Sequence, residues 1–147
     1  MTTSYEPVLL RRIGRPHSTT LASYRADGGY RALEKALAMP PMRVIDIVRE
    51  SGLRGRGGAG FPCGVKWGFL PEDHTGPIYL CVNGDESEPG TFNNRILLEE
   101  DPHQVIEGII IGSYATRAQV AYFYLRYEYG RSYRTLEKAI AELYDAG

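Results

Sequence analysis

The chain has 147 residues, of which 43% are hydrophobic and 24% are charged, and its formal net charge is −1 at pH 7. This balance is typical of one soluble globular domain with a real core, and the near-zero charge gives no reason to expect binding to nucleic acid or an anionic membrane. The first twenty residues lack a continuous apolar segment and no apolar run approaches the roughly 20 residues that span a bilayer, which argues against secretion and direct membrane insertion.

The N-terminal stretch carries few signs of regular structure. Residues 1–23 have mixed charge, several Ser and Thr residues and Pro16, so we expect an extended or loosely packed arm. Asp27-Gly28-Gly29 is a turn signal.

Two short helices are predicted next. The spacing of apolar residues predicts one helix from Tyr30 to Met39, which Pro40-Pro41 ends. A second helix is predicted from about Met42 to Ser51, with Gly52 where a left-handed C-terminal cap belongs.

The centre of the chain predicts a strand and then a long helix. The apolar run from Ile78 to Val82, bounded by Gly76-Pro77 and Asn83-Gly84, is typical of a buried strand. Asp101-Pro102 suits the start of a helix, because Asp favours the N-cap and Pro the first helical position. We expect that helix to end around Thr116 and to bury Val105, Ile106, Ile109 and Ile110.

The C-terminal part predicts a second strand and a last helix. Residues 119–129 are rich in tyrosine, and we attribute the six tyrosines between Tyr114 and Tyr133 to packing and strand propensity. Ser132 is the expected cap of a helix that has Leu136, Ile140 and Leu143 on one face.

This order of elements predicts an α/β fold. Strand, helix, strand and helix in succession indicate a Rossmann-like, right-handed βαβ unit with a preceding helical segment. Two parallel strands are not a stable sheet alone, so the sheet is expected to be incomplete in this chain. We divide the chain into an N-terminal arm with a short helix, residues 1–40, and the first part of a nucleotide-binding domain, residues 41–147.

A glycine-rich segment is the most informative stretch, with the sequence GLRGRGGAGFPCGVKW from Gly52 to Trp67. Successive backbone N–H groups in such a loop form an anion-binding concavity that suits a pyrophosphate. Arg54, Arg56 and Lys66 add positive charge. The alternative is a flexible or tightly packed connector with no ligand.

Two common phosphate motifs do not fit this segment. Gly55, Gly57 and Gly60 match G-x-G-x-x-G, but the dinucleotide fingerprint follows a strand and this one follows a predicted helix. A P-loop is ruled out because Lys66 is followed by Trp67 instead of Ser or Thr.

An acidic turn, Asn83-Gly84-Asp85-Glu86-Ser87-Glu88-Pro89-Gly90, follows the predicted strand. Ligands of open α/β sheets bind beyond the carboxyl ends of strands, where carboxylates accept hydrogen bonds from ribose hydroxyls or ring N–H groups. Two alternatives stay open here: a divalent-cation site built from Asp85, Glu86 and Glu88, and a solvated turn without a ligand.

Other chemically active residue types give weaker signals. Phe61 and Phe69 suit stacking on a nucleobase, and core packing is an equal alternative. Cys63 has no activating partner nearby in sequence, and two cysteines, Cys63 and Cys81, cannot form a disulfide framework or a four-cysteine metal site, which indicates a reducing compartment. We expect surface positions for His17, His74 and His103.

Together, GLRGRGGAGFPCGVKW and VNGDESEPGTFNNR resemble the flavin-bearing, NADH-oxidising subunit of respiratory complex I (the 51 kDa or F subunit). The same module occurs in diaphorase subunits of NAD-reducing hydrogenases and of formate dehydrogenases. The resemblance continues through PHQVIEGIIIGSYA and YLRYEY and covers the chain from about Tyr30 onward.

The resemblance implies a Rossmann-like domain that holds FMN and NADH for hydride transfer from nicotinamide to flavin, so no catalytic side chain and no metal ligand is needed. The FMN site would comprise Gly55, Gly57, Lys66, Asn83, Asp85 and Glu86. The NADH site would comprise Arg56, Gly58, Phe61, Lys66, Phe69 and Glu88.

The sequence departs from the family pattern at three places. Cys63 stands where the family has threonine, and Asn93-Asn94-Arg95 replaces Lys-Asp-Arg, which we expect to weaken charge pairing near the acidic turn. The family's second flavin motif and the cysteines of its [4Fe–4S] cluster are absent. We therefore expect the N-terminal part of such a protein, inactive alone and poor at binding FMN.

The implied partners are NADH, a thioredoxin/ferredoxin-like [2Fe–2S] subunit and other iron–sulfur subunits, in the cytoplasm or at the cytoplasmic face of the inner membrane. Two other hypotheses remain. One is a non-catalytic nucleotide-binding or assembly module that retains the glycine-rich loop. The other is a structural domain with a metal-binding acidic turn.

Overall fold

A computed structural model describes residues 5–147; residues 1–4 of the predicted arm lie outside the described residues. Within residues 5–147 the chain forms helices α1 to α7 and strands β1 and β2. Their bounds, in chain order, are α1 Leu21–Ala26, α2 Arg31–Leu37, α3 Pro41–Glu50, α4 Cys63–Trp67, β1 Tyr79–Gly84, α5 Asn93–Glu100, α6 Pro102–Thr116, β2 Val120–Leu125 and α7 Gly130–Ala146.

The chain divides into two compact units, and each is described by itself. Unit 1 contains residues 5–30, 83–107 and 123–147, and unit 2 contains residues 31–82 and 108–122. Both strands and α6 contribute residues to each unit. The predicted division at residue 40 stays a prediction.

The structure of unit 1 contradicts the predicted loose arm, residues 1–23, from Arg12 onward. The side chain of Thr20 accepts a hydrogen bond from the Ser23 amide and so caps α1. Arg12 is only 1% exposed. Its guanidinium forms ion pairs with Asp27 and, at 3.1 Å, with Asp101. Charge pairing, which the pattern of apolar residues does not reveal, fixes this segment.

A second buried polar network in unit 1 surrounds His103. The Tyr24 hydroxyl donates to Glu107 at 2.5 Å, and the Tyr30 hydroxyl lies 2.9 Å from His103 Nδ1. Burial is the largest cause that raises the pKa of Tyr24 and of Tyr30, so both phenols stay protonated. The expected surface position of His103 is wrong, because its side chain is fully buried. Its Nε2 lies 3.4 Å from Glu142.

Unit 2 has a small apolar core. Trp67 and Tyr114 are partly buried against this core, and the Tyr114 hydroxyl donates to the Met39 carbonyl at 2.7 Å. The fully buried core residues are Ala36, Val44, Ile45 and Ala115. Apolar residues of α2, α3 and α6 therefore meet in one cluster. Its members differ from those that the apolar spacing predicts, because Leu37 and Ile47 are exposed while Ala36 and Ile45 are buried.

The two strands pair in a small parallel sheet, which confirms the α/β fold with an incomplete Rossmann-like sheet. The predicted burial of the first strand is wrong. Tyr79 is 54% exposed, and Tyr122 and Tyr124 of β2 are 59% and 64% exposed. Within residues 5–147 no third strand joins this sheet. Its side chains alternate between exposed and half-buried: Leu80 and Val82 of β1 are half-buried, whereas the three tyrosines face solvent.

The helices after β1 match the prediction only in part. Helix α6 begins at Pro102 and ends at Thr116, as predicted, but of its four expected buried residues only Ile106 is fully buried. The sequence patterns did not predict α5. Ser132 does not cap α7, which begins at Gly130; its buried hydroxyl donates to Glu99 at 2.9 Å instead. Ile140 is 38% exposed.

None of the helices in the described part of the chain is long and apolar enough to cross a membrane.

His103 makes the stability of the chain depend on pH. Burial lowers the pKa of His103 from its ordinary 6.5, although the hydrogen bond to Glu142 opposes this shift. The unfolded chain therefore binds a proton near pH 6.5 that the folded chain resists, so stability falls as pH drops below this value. We expect the free energy of unfolding to decrease by up to about 1.4 kcal/mol per pH unit there.

Urea titrations between pH 5 and 8 measure this slope. His103→Gln retains a polar group but cannot take up the proton, so its slope between pH 5 and 6.5 should be smaller. Equal slopes for the two proteins would assign the pH dependence to another group.

Candidate functional site

The glycine-rich segment forms a closed loop in unit 2. Arg54 and Pro62 form an isolated antiparallel bridge. The Gly55 amide donates to the Phe61 carbonyl at 2.9 Å, and the Cys63 amide donates to the Leu53 carbonyl at 2.8 Å. The two ends of the loop are thereby tied together, and residues between them project as one exposed turn.

Glycine is needed in this turn for its backbone conformation. Gly58 has φ +100° and Gly60 has φ +61°, which side chains rarely tolerate. The amides of Gly57 and Gly58 have no hydrogen-bond partner among residues 5–147. An ideal Cβ at Gly57 would meet no atom within 4 Å, so the fold of this chain does not explain why glycine is present there.

Positive charge and aromatic rings flank the turn. Arg56 and Lys66 are exposed, and neither forms an ion pair within the described residues. Phe61 and Phe69 are 46% and 67% exposed, with ring centroids 5.9 Å apart. Their suggested alternative role in core packing is therefore wrong. Unpaired cations and open ring faces suit a phosphate-bearing ligand with an aromatic base.

Helix α4 begins at the end of this loop and packs closely on α3. An ideal Cβ at Gly64 would lie 2.4 Å from the Arg49 amide nitrogen and 2.6 Å from its Cα. Glycine is thus required at this contact for packing. The composition of residues 52–64 predicts a loop, but the loop ends at residue 62 because α4 begins at Cys63.

Cys63, the first residue of α4, is not an activated thiol. Burial raises the pKa of its thiol, and Lys66 opposes that shift only in part. The protonated, half-buried thiol is a poor nucleophile. This agrees with the expectation that Cys63 is a packing residue.

The acidic turn belongs to unit 1 and has a defined geometry. The Asn83 side-chain oxygen accepts from the Asp85 amide at 2.9 Å, and Asp85 Oδ1 accepts from the Ser87 hydroxyl at 2.7 Å. Arg126 Nε lies 3.8 Å from Asp85. Asn83, Asp85 and Glu88 are exposed, so their side chains are available to a ligand.

Glu86 differs from its neighbours because it is buried, with 5% exposure. Its carboxylate accepts from the Asn94 amide at 2.8 Å and from the Arg95 amide at 3.3 Å, and so caps α5. Arg95 Nε lies 3.5 Å from the same carboxylate, so the replacement at Asn93 and Asn94 leaves this charge pair in place.

A divalent-cation site finds no support in the described residues. Among residues 5–147 no three His, Cys, Asp or Glu side chains lie together in a way that could hold a metal ion. In the acidic turn, Glu86 faces α5 while Glu88 faces solvent.

The structure thus brings the predicted site residues together in two groups. Unit 2 carries Gly55, Arg56, Gly57, Gly58, Phe61, Lys66 and Phe69, and unit 1 carries Asn83, Asp85, Glu86 and Glu88. Sequence reasoning missed Arg95 and Tyr129, which contact the acidic turn. It had no signal for Tyr129, because a tyrosine at the end of an aromatic run is typical of a strand.

Comparisons with known proteins agree on one family. The family described as the Nuo51 FMN-binding domain matches residues 48–147. One of the F subunits of NADH-quinone oxidoreductase from Rhizobium meliloti (strain 1021), the one numbered 2, is 53% identical over 144 residues, which are 97% of this chain and 34% of that protein. The F subunit of NADH-quinone oxidoreductase from Aquifex aeolicus (strain VF5) is 55% identical over 135 residues, 92% of this chain and 32% of that protein.

A solved structure shows the same fold. The NAD+-reducing [NiFe]-hydrogenase in its air-oxidized state superimposes with a TM-score of 0.72 and 35% identity, over 95% of this chain and 23% of that chain. This chain spans about a third of the length of the curated relatives named above.

Alanine substitutions at two glycines of the glycine-rich segment should have different effects on the free energy of unfolding. Gly64→Ala should lower the free energy of unfolding by about 2 kcal/mol or more, because the added methyl overlaps backbone atoms of Arg49. Gly57→Ala should change it by less than about 0.5 kcal/mol, because its Cβ has open space. Urea unfolding of both variants measures the difference, and equal losses would contradict the loop geometry.

Proposed function

This chain belongs to the family of the Nuo51 FMN-binding domain, and from that membership we propose that it binds FMN and NADH as part of an NADH-oxidising flavin subunit. The observation that carries this proposal is the loop in unit 2. The amides of Gly57 and Gly58 have no hydrogen-bond partner among the described residues, and the same glycine-rich segment carries Arg56 and Lys66, which form no ion pair there. Amides and cations of this kind hold phosphate groups.

The residues fit FMN by their chemistry. Gly57 leaves a space that a Cβ would occupy, so a phosphate or ring can approach the backbone there. Asn83 and Asp85 are exposed, so the Asn83 amide can donate or accept hydrogen bonds and the Asp85 carboxylate can accept them from ring and ribitol groups. We assign the FMN site to Gly55, Gly57, Lys66, Asn83, Asp85 and Glu86.

NADH is assigned to the other exposed groups. Phe61 and Phe69 offer open ring faces to an adenine, and the exposed carboxylate of Glu88 can accept from ribose hydroxyls. Lys66 and Arg56 supply charge for the pyrophosphate. The proposed NADH site comprises Arg56, Gly58, Phe61, Lys66, Phe69 and Glu88.

In this proposal the side chains and amides of the chain bind and orient FMN and NADH, and none of them acts as a nucleophile or general base. FMN, when bound, accepts the hydride of NADH, so the hard chemistry belongs to the cofactor.

We further propose that electrons leave through iron–sulfur partners. A thioredoxin/ferredoxin-like [2Fe–2S] subunit and other iron–sulfur subunits of a larger complex are the expected acceptors, on the cytoplasmic side of a membrane or in the cytoplasm. Cys63 and Cys81 are the two cysteines of these 147 residues and cannot hold a [4Fe–4S] cluster. We therefore propose no [4Fe–4S] cluster for these residues.

The first test is the native protein isolated from its source cells. Its mass, its flavin absorbance near 450 nm and its NADH-dependent reduction of ferricyanide are measured together. Yellow protein with NADH:ferricyanide activity supports the proposal. Colourless protein that binds NADH but reduces nothing indicates instead a non-catalytic nucleotide-binding module that retains the loop.

A substitution at Gly57 tests the loop without disturbing the fold. Gly57→Ala in the native protein should weaken FMN binding about ten-fold or more, because the added methyl occupies the space left for the ligand. Flavin released at increasing dilution, followed by fluorescence, measures the dissociation constant.

Gly108→Ala is the matched control. Gly108 is exposed in α6, its Cβ also meets nothing within 4 Å, and we place no ligand there. Its FMN affinity should equal that of the unsubstituted protein. Equal affinity in Gly57→Ala would remove the loop from the flavin site.

A further inference from the structure

We propose that Tyr129 and Arg95 are positioning residues that fix the acidic turn in the shape that binds ligand. The inference rests on the proposed function, because it concerns the acidic turn, Asn83 to Gly90, and Thr91 directly after it. It concerns two side chains that touch no proposed ligand and act through the backbone of the turn. All the contacts that carry it lie within unit 1.

Tyr129 holds the start of the turn. It is only 9% exposed, and its hydroxyl donates to the backbone carbonyl of Glu86 at 2.6 Å. Tyr129 is the N-cap residue of α7, so its backbone is held at the start of that helix. A short bond from a buried phenol to a loop carbonyl fixes that carbonyl's direction, and with it the peptide that joins Glu86 to Ser87.

Arg95 holds both ends of the turn. Its guanidinium lies over the Tyr129 ring, 5.2 Å from the centroid, and its Nη2 donates to the Thr91 carbonyl at 2.6 Å. Arg95 Nε approaches Glu86 Oε2 at 3.5 Å, an ion-pair distance without the alignment of a hydrogen bond. One side chain therefore connects Glu86, Thr91 and Tyr129.

The segment between these anchors is a tight turn. The Thr91 amide donates to the Glu88 carbonyl at 3.1 Å, and Gly90 has φ +80°. Pro89 and Gly90 occupy the central positions, where a turn with positive φ at its third residue prefers Pro followed by Gly. With both ends fixed and the middle closed, the direction of the exposed Glu88 side chain is set by the clamp that Tyr129 and Arg95 form.

The clamp also explains why Glu86 is buried while Asp85 and Glu88 are exposed. The Glu86 carboxylate is used by the amides of Asn94 and Arg95, so this side chain connects the turn to α5. Asp85 and Glu88 on either side are left to face a ligand. A turn held by α5 and α7 needs little reorganisation on binding, which favours affinity.

Tyr129→Phe is the sharpest test, because it removes one hydroxyl and retains the ring under Arg95. In the native protein we expect the KM for NADH and the FMN dissociation constant to rise about three- to ten-fold, which is the effect of one lost hydrogen bond. The kcat at saturating NADH and FMN should stay within about two-fold, because no group that touches the reacting atoms changes.

Ser132→Ala is the matched control. It also removes one buried hydroxyl of α7 and should lower stability, but it leaves the contacts of Tyr129 and Arg95 with the turn intact. The Ser132 hydroxyl is buried and bonds to Glu99 between α7 and α5, and neither residue touches the turn. This variant should unfold at lower urea concentration, as Tyr129→Phe does, and bind FMN and NADH normally. Arg95→Lys, which retains the cation, should weaken binding less than Arg95→Met.

Amide hydrogen exchange separates this inference from the proposed function. Residues 85–91 should exchange faster in Tyr129→Phe than in Ser132→Ala, whether or not the protein binds flavin. Equal exchange, or equal ligand affinity in these two variants, overturns the positioning role. An unsubstituted protein with neither flavin nor NADH oxidation would overturn the proposed function, while faster exchange in Tyr129→Phe would still support the clamp.

Discussion

The ion pairs of the buried Arg12 guanidinium with Asp27 and Asp101 connect distant segments of unit 1. A charge removed from water is strongly unfavourable unless partners replace its hydration. Arg12 has such partners in Asp27, Asp101 and the Ser18 carbonyl, and Asp101 lies 89 residues away in sequence. Burial raises the pKa of Asp101 and the adjacent Arg12 opposes that shift, so each charge needs the other. Asp101 stands between α5 and α6, and α5 in turn carries the cap provided by Glu86. The shape of the acidic turn therefore depends on contacts made by residues near the start of the chain.

Glycines in unit 2 meet two different physical requirements, which the sequence presents as one cluster. Gly64 is required because α4 approaches the backbone of α3 too closely for any side chain. Gly58 and Gly60 are required for positive φ. Gly57 meets neither requirement, and so its lack of a side chain is best explained by something outside the described chain. The conformation of the loop thus separates Gly57 from the glycines that the fold itself requires, which supports the proposal that a ligand approaches the backbone there.

Local patterns predicted the elements whose causes are local. Pro41, Gly52 and Pro102 mark helix ends through backbone geometry alone, and the observed bounds of α3 and α6 agree with them. The motifs around the glycine loop and the acidic turn predicted the family for the same reason, since each is a continuous segment. Burial could not be predicted in this way. His103 and Arg12 have the residue types of a surface, and only contacts with distant carboxylates and phenols bury them. The apolar run of β1 predicts a buried strand, but alternate side chains of the strand are exposed. The aromatic run predicts a strand through Tyr129. The contact that gives Tyr129 its role cannot be predicted in this way, because the Glu86 carbonyl is 43 residues away in sequence.

The charges of the two units suit different parts of one class of ligand. Unit 2 offers exposed cations and backbone amides without hydrogen-bond partners among the described residues, and both favour phosphate oxygens. Unit 1 offers the exposed carboxylates of Asp85 and Glu88, which would repel phosphate and favour hydroxyl or ring N–H donors. Nucleotides carry phosphates as well as hydroxyl and ring N–H groups, so each unit taken by itself presents side chains that suit one part of the ligand class that we propose.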